Sequence, residues 1–337
     1  MLSFVQYFDL SQDTFPNLKS LGLDWDDTKN QTNGRLFGEF FCKLEILRLY
    51  GKDDKLIAVP SVFVEGLRYL KSLSVTNLFF DNEGQYAGMF ERLTELNLSK
   101  MPKLMLLWKE NSEQGGAFQN LEILRVSECG KLKNLVPSSM HFRNLNTLRL
   151  WKCHGLISLA TSSTIKSLVQ LKELYLSECK RMREIVTNEG EGEAGDEICF
   201  NQLKILCHDD LPSLRSFHLG NRTIKFPSLE YLRVIGCPEM KIFSNGVLSM
   251  LKRIQVRLGE KFSASYSRKL LPEEDVNSVI KRNWEENYDT CVQQLFTEKV
   301  CSNAFILCNF KSIFVGVDTR KLVRHVDPMV IILISGC

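Results

Sequence analysis

The sequence lacks several features that would each have fixed a class of protein. It holds no Cys-x-x-Cys pair, no Gly-x-x-x-x-Gly-Lys-Ser/Thr phosphate loop and no long apolar run. Without the first, its eleven cysteines, an odd number with no tight cluster, read as reduced thiols. They do not form the disulfide framework of a small secreted domain or a zinc site. Without the second, the chain has no loop to cradle a nucleotide triphosphate. The longest apolar run, Met329 to Ile334, falls far short of the roughly 20 residues a membrane-spanning helix needs. Charge of one sign is missing too. The 43 basic and 40 acidic residues leave a net charge of +3, too even for a nucleic-acid footprint. Met1 to Leu10 carries Asp9 and no basic residue ahead of its apolar positions, unlike a secretory signal. These absences predict a cytoplasmic protein with no membrane span and no nucleic-acid partner.

Catalytic spacing is also absent. The five histidines, His141, His154, His208, His218 and His325, stand in no arrangement with a nucleophile or a second base, so the expected class is not an enzyme. Cys207 beside His208 interrupts a repeat and is expected to be a satisfied or exposed position rather than a metal-ligand pair. No catalytic, metal or cofactor residue is assigned. What the chain does have is a folding composition, with 44% hydrophobic and 25% charged residues.

It also has a repeat. An LxxLxL core recurs along the chain, usually three residues after a phenylalanine. A clear copy runs Phe118, Leu121, Leu124, Val126, Cys129, Leu132, Leu135, and another Phe226, Leu229, Leu232, Val234, Cys237, Met240, Phe243. The first leucines are Leu18, Leu44, Leu70, Leu93, Leu121, Leu145, Leu171, Leu203, Leu229 and Leu251, which makes ten copies at steps of 22 to 32 residues. Most steps lie in the leucine-rich-repeat range of roughly 20 to 29. Within each copy, apolar and polar residues alternate with the period of a strand, so Leu124 and Val126 face inward and Arg125 outward. One copy cannot bury its own apolar face. Neighbours must therefore stack, with their strands forming a parallel sheet. The predicted fold is an α/β solenoid, a leucine-rich-repeat horseshoe of about ten repeats with the sheet on its concave face. Cys129, Cys153, Cys179 and Cys237 share one phase, where a small side chain turns inward as the strand ends. Proline follows the strand at Met101-Pro102, Leu211-Pro212 and Cys237-Pro238, and the return segments are expected to hold irregular turns or short helices.

Two insertions and an ending interrupt the period. Thr187 to Glu197, TNEGEGEAGDE, alternates carboxylates with small residues without the ligand order of a calcium loop, and is expected to be a solvated acidic loop. Asn111 to Gly116 is a second insertion. The sequence predicts residues 1–262 as solenoid, 263–299 as a helical C-terminal cap with Trp284 and Phe296 as plugs, and 300–337 as an unassigned tail. The cap is needed because a solenoid otherwise exposes the apolar face of its last unit.

The unit FxxLExLxVxxCxxLxxL, together with the acidic insertion and the closing stretch WEENYDTCVQQLFTEKV from Trp284 to Val300, closely resembles the C-terminal repeat region of plant intracellular nucleotide-binding leucine-rich-repeat immune receptors of the coiled-coil class. The resemblance covers residues from about 15 to 300. It implies a role in plant defence, with a pathogen effector, a guarded host protein or the receptor's own nucleotide-binding domain as protein partner. Because the phosphate loop of those receptors is missing, the chain is expected to be a truncated receptor, an isolated recognition domain or a mispredicted gene product. A substrate-recognition subunit of a ubiquitin ligase would also use a repeat solenoid. It needs an adaptor-binding segment, which is not seen ahead of Leu18.

Outward strand positions should form columns along the concave face. The column between the two strand leucines reads Gly22, Arg48, Ser74, Asn97, Arg125, Arg149, Tyr175, Cys207, Arg233 and Gln255. The next reads Asp24, Tyr50, Thr76, Ser99, Ser127, Trp151, Ser177, Asp209, Ile235 and Arg257. Arginine, tryptophan and tyrosine dominate interface hot spots, so the expected partner-binding residues are Arg48, Tyr50, Arg125, Arg149, Trp151, Tyr175 and Arg233. The competing expectation is that these side chains only keep an exposed sheet soluble, with Trp151 stacked on a neighbour.

Overall fold

The structure is a computed structural model. It describes residues 17–25, 43–52, 57–59, 67–80, 91–107, 118–135, 142–188, 197–246, 248–250, 255–259, 266–269 and 275–285. All of these lie in one compact unit, residues 1–286. The acidic stretch 189–196, the insertion 111–116, the side chain of Trp284, Phe296 and the tail 300–337 lie outside the described residues.

Ten five-residue strands, one per repeat, build a single parallel sheet: Ser20–Asp24, Ile46–Tyr50, Ser72–Thr76, Glu95–Ser99, Ile123–Ser127, Thr147–Trp151, Glu173–Ser177, Ile205–Asp209, Tyr231–Ile235 and Gln255–Gly259. They lie side by side in chain order, and each pairs with the next without slippage. Leu47 stands against Leu73, Leu124 against Leu148 and Leu174 against Leu206. The alternation dictates the orientation. In Ile123–Ser127, Leu124 and Val126 are fully buried while Ile123, Arg125 and Ser127 are half-exposed, and the same pattern recurs from strand to strand. A one-residue slip would turn every leucine to water, so the apolar pattern locks the register.

One expected register is corrected. Taking Leu251 as the head of the tenth repeat puts Gln255 in the middle column. The structure instead pairs Val256 with Leu232 and Leu258 with Val234, so the repeat starts two residues later and Arg257, not Gln255, stands beside Arg233. A two-residue shift keeps every side chain on its face, so alternation alone does not discriminate between the two registers.

Seven successive strands, from Ser72–Thr76 to Tyr231–Ile235, end with the same device. The following residue takes the left-handed conformation: Asn77, Lys100, Glu128, Lys152, Glu178, Asp210 and Gly236, with φ between 52° and 63°. At Gly236 any Cβ would stand 2.3 Å from Oδ1 of Asp210, so only glycine fits there. The turn drives the next residue into the core. Its thiol, where it is cysteine, donates to the last strand carbonyl, as Cys129 does to Ser127 at 3.3 Å and Cys179 to Ser177 at 3.4 Å. A tight turn then brings a second apolar residue inward, with Leu132 N–H donating to Cys129 and Met182 N–H to Cys179. Burial pushes the Cys129 and Cys237 thiols up to about 12, so they pack as small apolar groups.

The return segments hold the expected turns and, in addition, short strands. Among the described residues they are turns and short parallel strands, such as Ala160–Thr161 beside Val186–Thr187 and Ile198–Cys199 beside Ile224–Phe226. The one helix among them is Ser162–Ile165. No helix among the described residues is long and apolar enough to cross a membrane. The core lies between sheet and return segments. Its C-terminal third is aromatic, with Phe200 stacked on Phe226 and Phe217 on Phe243.

His208 sits where other strands carry leucine or valine. It is fully buried, its ring 6.1 Å from that of Phe217 and 6.4 Å from that of Phe243, and neither ring nitrogen has a hydrogen-bond partner. The metal-pair alternative therefore has no geometry to support it, because His208 points into the core while Cys207 belongs to the opposite face.

The end of the solenoid differs from the expected helix over 263–299. Tyr266–Lys269 pairs antiparallel with Gln255–Gly259, reversing the chain at the sheet edge. A helix then runs over Val276–Glu285, with Asp275 capping it through Ser278 N–H. Val276 and Ile280 are buried in the core. The Asn277 amide mimics a peptide group. Its Oδ1 accepts from Phe243 N–H and Ser244 N–H at 2.8 and 3.1 Å, and its Nδ2 donates to the Ser244 carbonyl at 2.8 Å. In earlier repeats such amides reach the carbonyl of the next repeat, as Phe217 and His218 reach Phe243. Asn277 replaces the repeat that does not follow.

Two outcomes follow. Asn277→Ala leaves two amides inside the cap without an acceptor. It should destabilise the C-terminal repeats by about 2–3 kcal/mol and accelerate hydrogen exchange at Phe243 and Ser244; unchanged exchange there would contradict the capping role. His208 gives a pH signature. Burial pushes its folded pKa down to about 3 from an unfolded value near 6.5. The neutral ring's stability is complete above pH 6.5 and is lost as pH falls toward 3, at about 1.4 kcal/mol per pH unit. His208→Leu should remove this loss, gaining about 2 kcal/mol on wild type between pH 6.5 and 5 in denaturant unfolding. Parallel pH profiles would contradict it.

Candidate partner-binding face

The first, third and fifth positions of the first nine strands lie on the face away from the core, so three columns, not two, line the exposed face of the sheet. The third position carries Arg48, Ser74, Asn97, Arg125, Arg149, Tyr175, Cys207 and Arg233 on successive strands, each in register with the next. Arg125, Arg149, Tyr175 and Arg233 therefore fall in one short row. Arg48 and Tyr50 do not join them, because the strands bearing Ser74 and Asn97 intervene. Tyr50 stands more exposed than the others, at 39%.

The first position was not part of the expected site, and it supplies the counter-charges of Arg125 and Arg149. Glu95 and Glu173 come from this column. Arg125 reaches back across the sheet to Glu95, with a further bond to Asn97 Oδ1 at 3.1 Å. Arg149 reaches forward to Glu173 at 3.2 Å and lies over the Tyr175 ring, 4.2 Å from its centroid. The two guanidinium groups, in register on neighbouring strands, are thus drawn apart by carboxylates on opposite sides. The signal was present in the sequence, as a glutamate two residues ahead of a third-position residue.

The electrostatics follow from this arrangement. Partial burial raises the Glu95 carboxyl, but hydrogen bonds from Asn97 and Arg125 and the guanidinium charge outweigh it and hold the group below its ordinary range. The Tyr175 hydroxyl is raised by burial and then by the neighbouring Glu173 charge, so it remains a donor at physiological pH.

Trp151 lies on the fifth position of the same strand as Arg149 and is half-buried. Its Nε1 donates to Glu178 at 2.9 Å, and the Lys152 ammonium sits 4.0 Å from its ring centroid. Glu178 also meets Lys152 at 3.8 Å. Arg233 pairs with Asp209 at 2.8 Å. Arg48 donates to the Ser20 hydroxyl at 3.4 Å.

Two outward positions are closed off. Cys207, between Tyr175 and Arg233 in the row, is buried, and burial pushes its thiol up, so it offers no reactive group. Ile235 is likewise buried. Among the described residues, no group of three or more histidine, cysteine, aspartate or glutamate side chains is disposed to hold a metal.

The face thus carries a row of large polar and aromatic side chains paired with residues of neighbouring strands and turns. That organisation has known relatives. The family described as plant disease resistance protein RPS2-like, leucine-rich repeats, matches residues 16–142 and 140–257. A probable disease resistance protein of Arabidopsis thaliana, At5g47260, is 25% identical over 245 residues, covering 66% of this chain and 24% of that protein. A second from the same plant, At1g61300, is 25% identical over 174 residues, covering 51% of this chain and 22% of its own length. The chain therefore spans under a quarter of the length of these relatives, and it belongs to the RPS2-like leucine-rich-repeat family of plant disease resistance proteins.

Proposed function

We propose that the chain is a protein-recognition module of plant immunity, which binds a pathogen effector, a guarded host protein or a receptor's nucleotide-binding domain on the concave face. The observation that carries this reading is the cluster of Arg149, Trp151 and Tyr175 on two adjacent strands. These residue types combine large contact area with a polar handle and dominate measured binding energy at interfaces. Their rotamers are set by Glu173, Lys152 and Glu178 before any partner arrives, which lowers the ordering entropy of binding. Arg125 and Arg233 extend the row on either side, and Arg48 with Tyr50 forms a separate contact nearer the N-terminus. The same pairing would also keep an isolated sheet soluble, so mutation must separate the two roles.

The double substitution Arg149→Ala with Trp151→Ala should weaken capture of a specific plant or pathogen protein by more than about thirtyfold, while circular dichroism stays unchanged. The matched control, Arg143→Ala with Lys172→Ala in the turns ahead of the strands, should retain it. Equal capture by wild type and the double variant would refute the placement.

A further inference from the structure

After each strand the chain makes the turn described above, and the third, fourth and sixth residues beyond the strand point outward on one flank while the fifth returns to the core. Across the six repeats whose strands begin at Glu95 and end with Tyr231–Ile235, this flank is strongly one-sided in charge. The sixth position carries Lys133, Arg183, Arg215 and Lys241, all exposed. Backbone bonds from Arg183 N–H to Ile157 and from Arg215 N–H to Arg183, both 2.8 Å, hold neighbouring members side by side. The fourth position adds Lys103, Lys131 and Arg181, and the third adds Lys180. Among the described residues of these three columns, the eight cations are set against one carboxylate, Glu239, although the whole chain is nearly balanced at +3. The other described acids beside these turns point elsewhere. Glu184 is bonded to Leu219 N–H and faces buried His218, Glu178 is engaged by Trp151 and Lys152, and Glu128 and Asp210 are half-buried at the strand turn.

Large aliphatic side chains stand among the cations. Met105 and Ile157 occupy the same sixth position, 43% and 46% exposed, with Leu106 beside them at 39%. We infer that this flank is a peripheral docking surface for an anionic lipid membrane, held by its lysine and arginine columns and by shallow insertion of Met105, Leu106 and Ile157.

The composition favours lipid over other anionic partners. Specific protein interfaces are depleted in lysine and enriched in tryptophan and tyrosine, whereas five of the eight cations here are lysine and the three columns hold no tryptophan, tyrosine or phenylalanine. Single-stranded nucleic acid requires aromatic platforms, which the flank lacks as well. A charged bilayer requires neither. It attracts clustered cations at about fivefold in partition for each, and it accepts aliphatic side chains at its surface. The flank and the concave row use different positions of the same repeats, so a docked solenoid keeps its strand face open.

The test is sedimentation of the full chain with vesicles of phosphatidylcholine alone and of phosphatidylcholine mixed with phosphatidylserine. Binding is expected only to the mixed vesicles and should fall as salt rises. Lys133→Glu with Arg183→Glu and Arg215→Glu should lower it at least a hundredfold, while Arg68→Glu with Arg143→Glu and Lys172→Glu, an equal charge change in the turns ahead of the strands, should lower it far less. Met105→Ser with Ile157→Ser should weaken it without changing its salt dependence. Equal binding to both vesicle types, equal loss in both charge variants, or retention on polyglutamate resin without binding to the mixed vesicles would each overturn the proposal, the last in favour of an acidic protein partner. Circular dichroism of each variant excludes loss of fold as the cause.

Discussion

Everything in this solenoid depends on one constraint: a single repeat can satisfy neither its apolar face nor its backbone alone. Leu124 and Val126 are dry only because Leu96, Leu98, Leu148 and Leu150 lie on either side of them. The N–H groups of the left-handed turn residues from Asn77 to Asp210 have their acceptors in the next repeat, as Glu128 does in Trp151. The interactions are nearest-neighbour throughout, so the structure needs a device wherever the series stops. At the C-terminal end that device is chemical as well as steric. Val276 and Ile280 cover the last apolar surface, and the Asn277 amide satisfies the last exposed backbone groups.

The same constraint generates two surfaces with different physics. Strand positions one, three and five face outward in rows about 4.8 Å apart. At that spacing, like charges must be compensated within the sheet, which is what Glu95, Glu173 and Asp209 do for Arg125, Arg149 and Arg233. The result is a nearly neutral face. The turns beyond the strands are under no such pressure. There the described residues place eight exposed cations against one exposed carboxylate, Glu239. A nearly neutral whole conceals this partition between the two surfaces.

Much of this was legible in the residues. The leucine phases located nine strands in their observed register, and the shared phase of Cys129, Cys153, Cys179 and Cys237 correctly marked the inward turn after the strand. What was not legible has identifiable causes. The tenth repeat was misplaced by two residues because alternation has period two and Leu251 completes the motif as well as Arg253 fails to; only the pairing of Val256 with Leu232 decides. The return segments lack a periodic signal, so turns and short strands were not separable from short helices. The strand Tyr266–Lys269 and the role of Asn277 depend on what the preceding repeat leaves unsatisfied, which no local pattern encodes. On the candidate face, Arg149 and Trp151 were identifiable by residue type. Their partners Glu173 and Glu178 come from the neighbouring repeat and become visible only once the register is known.

The most direct test of the stacking itself is the accessibility of its thiols. Cys129, Cys153 and Cys179 lie in the core at the strand turn, Cys207 is buried within the concave row, and Cys199 is exposed on a return segment. Alkylation of the native protein followed by peptide mass spectrometry should modify Cys199 rapidly and leave the other four unmodified until the solenoid is unfolded. Modification of Cys129, Cys153 and Cys179 at a rate comparable to Cys199 would show that the repeats do not bury one another's apolar faces, and would contradict the account at its base.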